Sequence, residues 1–386
     1  MFEIPSGSDF LTQIAQQSVS RRRFLRDMTG AGAGLLIGAR RASALRREYG
    51  QKTIIVTFGG GARDQETFAP EGQRYIPRIL MELIPRATFY TQVVNRGILG
   101  HYVANASLAT GCYESFNNFQ SIRPENPTIF EYFRQDRRRQ ASDVWVIAPS
   151  NGFTSIGESG HPAYGRGKGA TVVLPKALLA GVSGGSERPF ESLLRDSHEG
   201  PVGAGVYAST ARQDEAIRDL LQISMSDFKA HAQSVSSPDE LSLYIALHLM
   251  RSKAPSLIWI TLHDIDIAHA GAFSLYTDAI QRTDRICAEL VRAMDQEPEY
   301  KGQTNFFILP DFGRDADDDP SGNGFQHHRS GDALCRTTWL LAMGPGIREN
   351  TTVDRPVESI DLVPTVAKML ACDARFAQGR PLVEVL

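Results

Sequence analysis

An α/β fold, with a mostly parallel sheet sandwiched between helices, is the class this sequence predicts, and three observations predict it. Short apolar runs rich in β-branched and aromatic residues recur along the chain; they are too short for buried helices and read as strands. Segments of helical periodicity lie between them, and such alternation builds a parallel sheet. Several runs are apolar on both faces, as a sheet covered on both sides requires. The strands fall at 53–58, 89–95, 143–148, 171–174, 256–262, 305–310 and 336–343.

The clearest helix spans 272–296, where Tyr276, Ile280, Thr283, Cys287, Leu290 and Met294 recur at alternating spacings of four and three and the opposite face is charged. Further helices are expected at 127–135, 212–230, 239–253 and 361–371, the last with Asp361 as N-cap and Pro364 in its first turn. The Gly- and Ser-rich stretch from about 150 to 255 reads as an insertion or lid on the sheet. Arg137-Arg138-Arg139 follows a helical pattern, where cations favour the helix C-terminus.

With 386 residues, 42% hydrophobic, the chain can bury a substantial core in one large domain. A formal charge of −3, without a basic stripe, argues against nucleic-acid binding. Cys112, Cys287, Cys335 and Cys372 lack C-x-x-C spacing, so they declare neither a zinc knuckle nor a disulfide framework. Beyond the N-terminus no stretch approaches the length of a membrane-spanning helix.

At that N-terminus, Ser20-Arg21-Arg22-Arg23-Phe24-Leu25-Arg26 precedes a weakly apolar stretch from Met28 to Gly38, then Arg40-Arg41 and Ala42-Ser43-Ala44. Charged, apolar and small-residue regions in this order mark an export signal. The run resembles a twin-arginine signal, which implies delivery to the periplasm or cell envelope through the twin-arginine translocation machinery. Residues 1–44 are therefore expected to be the signal and 45–386 the exported domain. Whether the signal is cleaved or kept as an anchor stays open.

In open α/β sheets, reactive side chains gather on loops at the carboxyl ends of strands. After 256–262 comes His263-Asp264-Ile265-Asp266-Ile267-Ala268-His269, and after 305–310 comes Asp311-Phe312-Gly313-Arg314-Asp315, running on to His327-His328. Carboxylate and imidazole together suit zinc, manganese or iron, and three protein ligands would leave a position open for water or substrate.

The order of these pieces resembles the alkaline phosphatase superfamily, which includes sulfatases and nucleotide phosphodiesterases. The likeness is carried by the Trp259 to His269 segment with its long helix, by Asp311-Phe312-Gly313, by a His before the strand that ends in Gly344-Pro345-Gly346, and by Asp361-Leu362-Val363-Pro364-Thr365 with Gly379-Arg380-Pro381-Leu382. The resemblance implies two divalent metals, zinc first, with manganese or calcium as alternatives, flanking a nucleophile. For the first metal it points to Asp266 and His269 with His327 or His328, Asp264 being the alternative to Asp266. For the second only Asp311 matches: Phe312 stands where the family has a His, and Gly59-Gly60-Gly61 where it has a carboxylate. Counting back from Ala109-Thr110-Gly111 puts His101 or Gly100 at the nucleophile. His101 is then a candidate base or phosphoryl acceptor.

Three other motifs fail. Gly59-Gly60-Gly61 lacks the last glycine of a dinucleotide loop, since Asp64 stands there. Gly157-Glu158-Ser159-Gly160-His161 lacks that of a nucleophile elbow, and Asp315, Asp317 and Asp319 are followed by Pro320 where a calcium loop needs Gly. The expectation is thus an exported hydrolase of phosphate or sulfate esters with one retained metal site. The alternative is an inactive subunit that keeps the fold as a binding or structural component of an envelope complex. The mild acidity disfavours a polyanionic substrate, although Arg63 and Arg314 would offset it locally.

Overall fold

The computed structural model describes Arg21 and residues 52–118, 122–182, 190–194, 221–317, 323–328 and 333–386. The expected signal at 1–44 lies outside the described residues except for Arg21, as do residues 212–220 of one expected helix and Asp319 and Pro320 of the acidic loop.

The strands are β1 (Lys52–Thr57), β2 (Thr88–Val94), β3 (Val144–Ile147), β4 (Thr171–Val173), β5 (Leu257–Thr261), β6 (Thr304–Leu309), β7 (Thr337–Met343), β8 (Thr351–Val353) and β9 (Val357–Glu358). They join in one sheet of order β4-β3-β5-β1-β6-β7-β2-β8, with β9 also on β2. Only β7 runs antiparallel to its neighbours, β6 and β2. All seven expected strands are present within a residue or so of their expected ends. β8 and β9, of three and two residues, were not expected, because so short a run carries no periodicity.

Successive residues of the central strands alternate between two cores, which is why those strands read as continuously apolar. Ile54, Val56, Ile258, Ile260, Phe306 and Ile308 enter one core. Ile55, Trp259, Phe307 and Leu309 enter the other. The first is closed by α5 (Pro238–Ser252) and α6 (Phe273–Gln296), joined by α3 (Pro175–Val182) and α4 (Met225–Ser234), and the second by α1 (His101–Thr110), α2 (Ile129–Asp136) and α7 (Leu362–Met369). The stretch from 150 to 255 supplies the edge strand β4 and, through Leu178, Phe228, Leu241, Ile245 and Leu249, part of the first core.

Local capping explains several helix starts. Thr128 and Glu131 form a reciprocal capping box at the start of α2. Ser237 caps α5, with Pro238 at its first position. Asp361 departs from expectation: it stands before α7, but its side chain does not cap that helix. Its carboxylate accepts instead from the backbone N–H groups of Glu358 and Arg380. The Thr365 hydroxyl donates to the Asp361 carbonyl and accepts from Leu382 N–H. Asp361-Leu362-Val363-Pro364-Thr365 and Gly379-Arg380-Pro381-Leu382 are thus stitched together. Ser159 of the failed elbow is buried and donates to Glu131, a structural role. Among the described residues, no helix is long and apolar enough to cross a membrane.

Candidate metal centre

β5, β1 and β6 are adjacent and parallel, so the segments leaving their carboxyl ends emerge side by side. After β5 the chain turns through a 3-10 segment, Asp264–Ala270. That turn is anchored by Asp239 in the first turn of α5, whose carboxylate accepts from the N–H groups of His263 and Asp264 at 2.8–3.0 Å. After β6 comes Asp311. α1 starts at His101, where the Asn118 side chain accepts from Tyr102 N–H at 2.9 Å and so caps the helix.

These three segments converge. Asp266, 1% exposed, is the hub. One of its oxygens, Oδ1, lies 3.0 Å from His101 Nε2, 3.2 Å from His269 Nε2 and 2.7 Å from Arg314 Nη2. His269 Nε2 is also 3.0 Å from His328 Nε2. The structure therefore brings Asp266, His269 and His328 together, with donor atoms within 4.8 Å of one another. His328 Nδ1 lies 3.1 Å from the Leu99 carbonyl. A carbonyl only accepts, so that nitrogen carries the proton and Nε2 presents its lone pair to Asp266 and His269. Burial, with the positive charges of His101 and Arg314, pushes His328 down to about 2, keeping the ring neutral.

Two of the expected candidates lie elsewhere. His327 is exposed, and its backbone carbonyl accepts from Asp315 N–H at 3.0 Å. Neighbouring loop side chains diverge, so of the adjacent pair only His328 faces inward. Asp264 pairs with Arg282 at 3.1 Å and accepts from the Ser237 hydroxyl, turning away from the hub.

His101 bridges the two aspartates, Nδ1 lying 2.7 Å from Asp311 Oδ2. Both its partners are carboxylate oxygens, which only accept, so both ring nitrogens donate and the ring is an imidazolium. Burial opposes that charge, but Asp311 and Asp266 outweigh it and raise the pKa to about 9. With no free lone pair, the ring in this arrangement is a proton donor and a buried charge. Phe312 stacks on the ring, with centroids 4.4 Å apart.

A polar relay ties this pair to the core. Asn105 Nδ2 donates to Asp311 Oδ2 and to the His101 carbonyl, while Asn105 Oδ1 accepts from Thr57, whose hydroxyl accepts from Trp259 Nε1.

Two contributors were not assigned to the metal site from the sequence, although both lie in the loops named there and Arg314 was noted as a local cation. His263 lies 3.6 Å from Asp266 and meets His101 edge to face. Its position directly after β5 was the available signal. Arg314 is fully buried and reaches the carbonyls of Gly60 and Gly61 as well as Asp266. Only the fold brings these positions together.

No protein-family model matches this sequence, and no curated relative does. Solved structures do match. The lipoteichoic acid synthase LtaP from Listeria monocytogenes has a TM-score of 0.52 at 12% identity, over 93% of this chain and 79% of its own. Wild-type alkaline phosphatase PafA has 0.53 at 11%, over 89% of this chain and all of its own. The chain has an alkaline-phosphatase fold. Murine ectonucleotide pyrophosphatase/phosphodiesterase 5, in an inactive form complexed with AMP, matches this fold as well, at TM-score 0.51 and 12% identity over 85% of this chain and 97% of its own.

The sequence resemblance implies two metals. At the first position the donors fit: one carboxylate and two imidazoles, one with its lone pair turned inward, form a set suited to zinc with positions left open. At the second they do not. Asp311 Oδ2 is taken by an imidazolium, Phe312 offers only a ring, and the glycine carbonyls after β1 receive the Arg314 guanidinium.

Proposed function

We propose that this chain is an exported hydrolase of phosphate or sulfate esters that works with one divalent cation, zinc first and manganese or calcium as alternatives, held by Asp266, His269 and His328. Residues 45–386 are read as the exported domain, delivered by the twin-arginine machinery. The observation that carries the reading is the convergence of His269 Nε2 on both Asp266 and His328, open to solvent on the His269 side, where that side chain is 24% exposed.

A cation so held supplies Lewis-acid charge at an ester oxygen. The chain's own groups do the remainder. The imidazolium of His101 and the guanidinium of Arg314 present fixed positive charge beside an anionic ester. Asp239, Asn105 and Asp311 hold the two loops and His101 in place. Phe312 covers one face of the His101 ring, shielding it from water.

The deciding experiment is metal analysis of protein purified without chelator, followed by a panel of phosphate and sulfate esters. One transition metal per chain, and hydrolysis abolished together with metal retention in His269→Ala, are expected. A second reading, a noncatalytic envelope component, is favoured by one observation: Asp266 and Asp311 are already balanced by Arg314 and His101. It predicts no stoichiometric metal, no ester hydrolysis, and His269→Ala that leaves the role intact.

A further inference from the structure

Outside the metal centre, one buried cation has no part in the chemistry above. Arg21 is 2% exposed. Its Nε donates to Asp64 Oδ1 at 2.9 Å, with Nη2 2.8 Å from the same oxygen. Its Nη1 donates to the carbonyls of Thr91 and Thr338 at 2.5 and 2.6 Å. The guanidinium carbon lies 5.5 Å from the centre of the Phe68 ring.

The receiving groups all belong to the folded domain. Thr91 lies where β2 and β7 slip out of register between Tyr90 and Val93. Asp64 and Phe68 come from the turns that follow β1. The polar members, a carboxylate and two carbonyls, are acceptors only, and acceptors buried together demand a donor. A planar fork that also stacks on an aromatic face answers that demand; an ammonium does not match it.

We propose that Asp64, Phe68 and the carbonyls of Thr91 and Thr338 form a guanidinium site whose ligand is the chain's own Arg21, so that the folded domain sequesters the first arginine of the Arg21-Arg22-Arg23 run. The consequence for export rests on reading that run as an export motif: the domain and the translocation machinery then compete for one side chain.

The test changes the receiving side and leaves the motif intact. The full chain and its Asp64→Asn variant are digested briefly with trypsin, and cuts after Arg21 and after Lys301 are followed by mass spectrometry. Loss of the buried ion pair is expected to speed the cut after Arg21 about ten-fold or more while the cut after Lys301 is unchanged; equal rates after Arg21 overturn the proposal. Should Asp64→Asn fail to fold, Arg21→Lys keeps the charge without the fork and is expected to lower Tm; a Tm equal to that of the unaltered chain is the contrary result. In cells, pulse-labelled Asp64→Asn is expected to be exported faster than the unaltered chain, and equal rates would remove the competition. If neither chain is exported, the export reading fails while the protease result still decides the site.

Discussion

His101 occupies the place where a nucleophile was sought, and its ring is held as an imidazolium between Asp311 and Asp266. That arrangement makes a pH prediction. Its pKa rises from 6.5 in the unfolded chain to about 9 in the folded one, so its contribution is full below pH 6.5 and is lost as pH climbs through 9. The linkage amounts to about 3 kcal/mol. Urea unfolding of chelator-treated protein should therefore show stability falling between pH 6.5 and 9, with that fall absent from His101→Gln. Equal pH slopes in the two proteins would show that the ring is not charged in the fold.

At the scale of elements, the loop after β5 is held from two sides. Asp239 binds its backbone from α5, and Gly60, in the turn after β1, lies directly against it. Gly60 has φ +97°, and a Cβ there would sit 2.4 Å from the Asp266 nitrogen. Gly60→Ala should thus strain the turn and displace Asp266, weakening zinc binding about ten-fold or more. Gly165 also has a left-handed φ, but nothing lies within 4 Å of an added Cβ. Gly165→Ala should cost roughly 1 kcal/mol of stability and leave zinc affinity unchanged. Isothermal titration of both variants separates the two effects; equal zinc affinities would mean that the turn does not position Asp266.

For the whole molecule, the count of cations matters most. With one proposed centre, at Asp266, His269 and His328, ligand linkage should be that of one site: Tm rises with added zinc, and free zinc at 100 times Kd stabilises by about 2.7 kcal/mol. Thermal melts combined with equilibrium dialysis would check this. Two tightly bound zinc ions per chain would overturn the single-centre reading. The sheet sets the geometry of the centre, since parallel β5, β1 and β6 deliver Asp266, the glycine turn and Asp311 to one edge.

Sequence alone determined the strand runs, their order along the chain and the loops that carry the reactive side chains. Burial on both faces of a parallel sheet leaves a local, continuous apolar signature, and helices between strands leave a 3.6-residue period. The long α6 helix was readable for the same reason, whereas β8 and β9 were too short to leave a pattern. Only the tertiary structure decided that His328 turns inward and His327 outward, that Asp264 goes to Arg282 while Asp266 becomes the hub, and that Arg314 reaches Asp266. Those choices depend on contacts between segments far apart in the chain, His101 and Asp311 being 210 residues apart. No local period encodes which side of a loop meets such a partner; packing the sheet and its helices fixes it.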